Sequence, residues 1–376
     1  MRWPMSSALD ASEALHARVR AAVRAFGRGQ AMPEAFDALA VDIARFQAEH
    51  VPGYARLCAA RGVRPGEASR AADFPAVPTD AFKVARVFAF DDARAAVVFR
   101  TSGTTVGARG SHAMRVVATY DEAALAFGRA TLGAGMPDRV AVLVVGPSAD
   151  EAPDSSLARM CTRFASAVGQ REAPERTFFV REGKLDVEGL RGRIRALAGS
   201  PPAIVLATSF ALVHLLDALG PEVLALPVGS RVMQTGGFKG RSREVAPAEL
   251  RRAVSALFAV DERAVVSEYG MTELSSQLWE TSLLPGGARD VFAEPPWARV
   301  VPVDPETLAP VPDGAVGLAR IEDLANVDSA AIVLAQDRVR RVAGGVELLG
   351  RATGAPPRGC SIAMDEILGG ADAQRG

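Results

Sequence analysis

Cysteine and histidine are scarce in this chain, and that scarcity excludes several protein classes at once. The three cysteines, Cys58, Cys161 and Cys360, lie far apart and form neither a metal-ligand spacing nor an even disulfide set. Reduced thiols are the expectation. The four histidines are scattered, which argues against a histidine metal site. No apolar run approaches the roughly eighteen residues of a membrane span. The N-terminus also lacks the uninterrupted apolar core of a signal peptide. No membrane span and a cytoplasmic location are therefore expected. Neither sign of charge dominates: the net charge is −1, with no basic excess to suggest nucleic acid or an anionic membrane as partner. Aromatic residues make up only 6% of the chain and give no sign of an aromatic cage.

What remains is an ordinary globular composition, long enough at 376 residues for a large core and two or three subdomains. Residues 7–60 carry apolar positions at three- and four-residue intervals, in Ser12 to Phe26 and Pro33 to His50, and read as helices. Residues 74–83, with Pro75 and Pro78, read as a connector too constrained for a regular element. From Ala95 the rhythm becomes strand, loop, helix. Apolar runs at Val140–Val145, Ala203–Ala207, Arg231–Gln234 and Ala264–Glu268 alternate with helices at Ser155–Val168, Phe210–Leu219 and Pro247–Phe258. Thr208 or Ser209 would cap the second of these helices. Continuous apolar strands between amphipathic helices predict an α/β protein whose sheet is covered on both faces. After Trp297 shorter strands separated by turns suggest a β-rich part.

Three polar, glycine-containing stretches follow strands in this pattern. The first is Arg100-Thr101-Ser102-Gly103-Thr104-Thr105-Val106-Gly107-Ala108-Arg109-Gly110-Ser111-His112. Glycines let successive N–H groups converge on an anion, hydroxyls add donors, and arginine adds charge. The spacing is not that of a Walker loop. The second is Thr235-Gly236-Gly237-Phe238-Lys239-Gly240, and the third is Tyr269-Gly270-Met271-Thr272-Glu273. Ligands of open α/β sheets bind at loops leaving the carboxyl ends of strands, so all three are candidate site segments.

These stretches, with Asp323-Leu324-Ala325-Asn326 and Arg358-Gly359-Cys360-Ser361, occur in an order that resembles the adenylate-forming ligases. More closely the chain resembles their acyl-protein synthetase branch, the long-chain-fatty-acid–luciferin-component ligases, from about Val77 to Ile362. The resemblance implies an α/β fold: an adenylate-forming ligase large domain of mostly parallel sheets flanked by helices, plus a β-rich subdomain. The chain is accordingly expected to divide into a helical segment over 1–76, a nucleotide-binding core over 77–297, a β-rich subdomain with the Cys360 segment over 298–368, and a frayed tail over 369–376. It further implies ATP and Mg²⁺, a carboxylic (long-chain acyl) substrate, and an acyl-accepting protein such as a reductase or carrier. Thr101, Ser102, Gly103, Thr104 and Thr105 match the loop holding the β- and γ-phosphates. Arg109 stands where the wider superfamily has a lysine. Gly236 and Gly237 match the turn along the adenine, and Tyr269 the aromatic on the base, with Gly270 and Met271 in the same turn. Thr272 falls near the α-phosphate and Glu273 at Mg²⁺. Asp337, with Asp323 as rival, matches the ribose carboxylate, and Arg351 the arginine ending the main domain.

The wider superfamily continues into a mobile lid with a catalytic lysine. This sequence stops 25 residues after Arg351, so the lid is expected to be largely absent. Lys239, or less well Lys83, could supply the missing cation. Cys360 matches the cysteine that takes the acyl group as a thioester, whereas Cys58 and Cys161 sit in apolar helical patterns and read as core thiols. Trp297 reads as a packing anchor and His112 as a loop histidine making one hydrogen bond. The function implied is activation of an acid as acyl-AMP and transfer to a protein thiol. Transfer to coenzyme A, a carrier protein or an amine, and a catalytically idle nucleotide- or acyl-binding module, are the alternatives.

Overall fold

The computed structural model describes residues 5–101, 109–236, 245–352 and 358–368, with the side chains of 5, 6 and 358–360 outside that description. The chain forms two compact units that are not consecutive stretches. One comprises Met1–Ala126, Met271–Ser276 and Phe292–Gly376, the other Phe127–Gly270 and Gln277–Val291.

The second unit is the α/β part that the strand–helix rhythm predicts. Strands Ala141–Val145, Ala203–Thr208, Arg231–Thr235 and Val265–Tyr269 pair in parallel, in that order. Leu278–Glu280 adds an antiparallel strand beside the last of them. The first two strands are buried along almost their whole length, as continuous apolar runs in a sheet covered on both faces must be. On one face Leu143, Val205, Val232 and Val265 join Leu190, Leu212, Val254 and Phe258 from helices Val187–Ala196, Ser209–Leu219 and Pro247–Phe258 in one core. Helix Ser156–Val168 begins at Ser155, whose hydroxyl accepts from the Ala158 N–H, and Thr208 caps its helix in the same way. Gly128 lets the neighbouring helix approach closely, since a β-carbon there would meet the Phe164 ring at 3.0 Å and Trp279 at 3.5 Å.

The first unit combines helices Met5–Gly27, Phe36–His50 and Pro52–Ala60 with an antiparallel sheet. Its strands Ala298–Val303, Val316–Asp323, Ile332–Val342 and Gly345–Arg351 pair in chain order. The proline-rich connector is more regular than its sequence suggests. Val77–Pro78 is a short strand parallel to Val333–Leu334, and Ala81–Val84 is a helical turn. Gly345–Arg351 covers only the later half of its long partner, from Asp337 on, which leaves an edge where Val77–Pro78 can pair. A proline is tolerated at such an edge because its missing N–H breaks no ladder. A hairpin of Val97–Arg100 and Ser111–Met114 flanks the first glycine-rich stretch. After Arg351 the described residues include helix Arg358–Leu368, whose first turn contains position 360. No described helix is long and apolar enough to cross a membrane.

Candidate active site

The first glycine-rich stretch is closed at its base by the hairpin. Thr101 N–H donates to the Gly110 carbonyl at 2.9 Å, and Gly110 N–H donates back to Thr101 Oγ1 at 2.9 Å. Arg109 turns inward on this neck: its Nε donates to the Thr101 carbonyl at 2.6 Å. Positions 102–108, which include the expected Ser102, Gly103, Thr104 and Thr105, lie outside the described residues. The carboxyl of Glu273, a buried side chain, lies against the same neck. A β-carbon on Gly110 would stand 3.0 Å from Thr101 Cγ2 and 3.6 Å from Glu273 Oε1.

His112 corrects its sequence reading. It is a strand residue, paired with Phe99 and almost wholly buried, and not a loop side chain. Its Nδ1–H donates to the Thr272 carbonyl at 2.8 Å, and its ring packs edge-on to Phe82. Burial holds its pKa down at about 4, so the imidazole is neutral near pH 7. The histidine thus ties the strand leaving the glycine-rich stretch to the residue before Glu273.

The segment carrying Thr272 and Glu273 is fixed by Asp323 and Asn326. Asp323 is fully buried, and its Oδ2 accepts from the N–H groups of Ser275 and Ser276, each at 2.8 Å. Its Oδ1 accepts from the Ser276 hydroxyl at 2.6 Å and from Ala325 N–H at 3.0 Å. Burial raises its pKa, against the pull of these donors. Both its oxygens are thus taken up by this protein's own groups. Asn326 Nδ2 donates to the Glu273 carbonyl at 2.8 Å, and Gln47 in turn holds the Asn326 carbonyl at 2.7 Å. Trp297 is fully buried, as a packing anchor should be, with its indole N–H on Ser276 Oγ at 3.1 Å.

Asp337 and Arg351, matched to the ribose carboxylate and to the arginine ending the main domain, belong to neighbouring strands. Asp337 lies inside Ile332–Val342 and Arg351 ends Gly345–Arg351, directly opposite each other at a bulge, with Arg351 Nε 3.7 Å from Asp337 Oδ1. The Arg351 side chain is largely exposed and the Asp337 side chain mostly covered. Lys83 is bound to Asp80 at 2.6 Å, and Asp80 also accepts from Gln336 at 2.9 Å. Gly237 and Lys239 lie outside the described residues, as does the side chain of Cys360.

In the α/β unit, two other expected residues stand at the carboxyl ends of adjacent parallel strands. Gly236 follows Arg231–Thr235 with a left-handed φ of 73°, and its carbonyl accepts from Ser209 Oγ at 2.9 Å. Glycine is needed there because a β-carbon is strained at that φ. Tyr269, half-buried, closes Val265–Tyr269, and Gly270 and Met271 follow it. The sequence reading assigned no role to Glu268, which is buried and accepts a hydrogen bond from the Thr235 hydroxyl. One signal was available. Glu268 shares a strand face with Val266, where alternation calls for an apolar side chain.

Cys58 and Cys161 are buried, free thiols, as their patterns suggest. Burial pushes Cys58 up to about 11 and Cys161 higher still, so neither is a thiolate near neutral pH. Among the described residues no group of three or more His, Cys, Asp or Glu is placed to hold a metal ion.

A mixed sheet with parallel strands ending in glycine-containing loops, and antiparallel strands as well, is the fold of the adenylate-forming ligases. 2-Hydroxyisobutyryl-CoA ligase in the postadenylation state with 2-HIB-AMP matches with a TM-score of 0.61 at 15% identity, over 84% of this chain and 67% of that one. The open conformation of that ligase, with 2-HIB-AMP and CoA, gives 0.59 at 16% identity, over 84% and 74%. ATP-bound MatB from Rhodopseudomonas palustris gives 0.47 at 16% identity over 79% of this chain, which spans 56% of that protein's length. No curated protein matches the sequence. The acyl-protein synthetase family, LuxE, matches residues 32–369, and the chain belongs to that family.

Proposed function

We propose that this protein uses ATP to activate a carboxylic acid, a fatty acid in the reading its family suggests, as acyl-AMP and then passes the acyl group to a protein thiol. The observation that carries the reading is membership of the acyl-protein synthetase family over 32–369, which takes in every residue named here. In the first step a carboxylate oxygen attacks the α-phosphorus, the bond to the β-phosphate oxygen breaks, and pyrophosphate leaves. The transition state is crowded and highly anionic, so catalysis rests on positioning and charge neutralisation. The loop 101–105 and Arg109 take the outer phosphates. Gly236, Gly237 and Tyr269, with Gly270 and Met271, take the base, and Asp337, oriented by Arg351, takes the ribose hydroxyls. Thr272 stands near the α-phosphate, and Lys239 supplies a cation.

Mg²⁺ is commonly held by one or two carboxylates together with substrate phosphates, a donor set that the Glu273 carboxylate beside the loop neck fits. Bound there, it would neutralise phosphate charge. In the second step the Cys360 thiolate attacks the acyl carbon, the carbon–sulfur bond forms, and AMP leaves with the mixed-anhydride oxygen. A partner's thiol or coenzyme A is the alternative acceptor; CoA is bound in the 2-hydroxyisobutyryl-CoA ligase structure.

Acid-dependent exchange of labelled pyrophosphate into ATP, across short, long and aromatic acids, tests the first step. Exchange with one class supports it and names the acid. A protein that binds ATP but exchanges with none would overturn it. Glu273→Ala should lower exchange by about 100-fold or more, as loss of a group acting on transition-state charge does. Cys360→Ser should keep exchange and lose the covalent acyl-enzyme. Persistence of that species would move the acceptor away from Cys360.

A further inference from the structure

Glu268 is a buried carboxyl that no step above uses. It lies on Val265–Tyr269 directly opposite Thr235 of Arg231–Thr235, and the Thr235 hydroxyl donates to its Oε2. The two residues immediately following this pair are Gly236 and Tyr269, which the proposed function places along the adenine. The other carboxyl oxygen sits against position 270: a β-carbon on Gly270 would fall 2.5 Å from Glu268 Oε1. The backbone at 270 is not left-handed, so conformation does not demand glycine there. Space does. A flexible carboxyl in solvent would simply move aside, but this one is buried and held by Thr235, so yielding breaks the bond.

We propose that Glu268 is a positioning residue: its carboxyl clamps the ends of the two strands that present Gly236 and Tyr269, and it fixes position 270 as glycine. The inference rests on the nucleotide-site reading given above. It differs from that reading in assigning the missing side chain at 270 to the carboxyl and not to the nucleotide. Burial pushes the Glu268 pKa up to about 7, partly offset by the Thr235 hydroxyl. Its charge is felt by the buried Cys161 thiol of helix Ser156–Val168, whose pKa it helps to raise. Trp279 lies opposite on the antiparallel strand, and the next residue, Glu280, is held by Arg251 at 2.7 Å. Below pH 7 the clamp is therefore a neutral acid, and above it a buried carboxylate.

The experiment is a double-mutant cycle on pyrophosphate exchange and on the denaturant midpoint. Gly270→Ala should raise the KM for ATP by about tenfold in the native background, the cost of one lost buried hydrogen bond, and add little in a Glu268→Ala background. Equal harm in both backgrounds would show that the glycine serves the nucleotide, and the clamp would be wrong. Thr235→Val should raise KM more than it lowers kcat, with Thr235→Ser restoring both; failure of Thr235→Ser to restore either would also count against it. Glu268→Gln should flatten the pH profile around 7, and an unchanged profile would overturn the proposal. If the native protein neither binds ATP nor exchanges pyrophosphate, the functional reading fails instead. The clamp is then judged by coupling in the denaturant midpoints and by the infrared carbonyl band of a protonated acid, which Glu268→Gln should abolish.

Discussion

At the scale of single residues, similar side chains do different work according to what surrounds them. Asp323 is wholly buried with both oxygens committed to Ser275, Ser276 and Ala325, whereas Asp337 faces the largely exposed Arg351 across a strand bulge. Asp323→Ala should therefore destabilise the fold by at least about 3 kcal/mol, because several buried donors lose their acceptor together. It should also weaken exchange by releasing the Thr272–Glu273 segment, with the urea midpoint and the exchange rate as the two readouts. Asp337→Ala should barely move the midpoint and should raise the KM for ATP. His112 gives a pH test. Its pKa lies at about 4 in the fold against an ordinary 6.5. Between those values the unfolded chain binds a proton that the folded one refuses, so stability falls as pH drops through that window. His112→Gln should be less stable at pH 7 yet lose less on going to pH 5, read by urea denaturation at each pH.

At the scale of elements, the edge pairing in the antiparallel sheet is sensitive to one glycine. A β-carbon on Gly317 would lie 2.6 Å from both the N and O of Val303, backbone atoms that cannot turn away. Gly317→Ala should force Ala298–Val303 from Val316–Asp323 and cost roughly 2 kcal/mol or more, in the range of an overpacked core site. Hydrogen exchange at Val303 and its neighbours would localise the loss. Gly344→Ala, at a left-handed turn with no atom within 4 Å, should cost only the local strain of its φ of 86°. The contrast separates glycines kept for space from those kept for conformation.

At the scale of the whole molecule, two buried groups give stability opposite pH slopes. Glu268 titrates at about 7 in the fold and at an ordinary 4.5 outside it. The folded protein then holds a proton that the unfolded chain has lost, so stability falls as pH rises from 4.5 to 7. His112 pulls the other way between 4 and 6.5. The native protein should consequently show a shallow stability profile from pH 5 to 6.5. Glu268→Gln should steepen it upward with pH, and His112→Gln should tilt it downward. Thermal or urea midpoints across that range check both slopes, and a shared slope in the two variants would contradict the assignment.

The sequence by itself determined the alternation of strands and helices, the glycine-containing loops at strand ends and the motif order that marks the family. These are local properties: periodicity reports which face is apolar, and glycine reports where a turn is tight. Even the burial of Cys58 and Cys161 follows from neighbours within one helical turn. Only the tertiary structure decided which polar groups are buried together. Gln47 meets Asn326, Ser12 meets Asp328, and His112 meets Thr272, partners separated in the chain by 279, 316 and 160 positions. No local pattern encodes a partner at that distance. The same reason hid Glu268, which looks like any strand-end carboxylate until Thr235 and the space at Gly270 are seen to hold it.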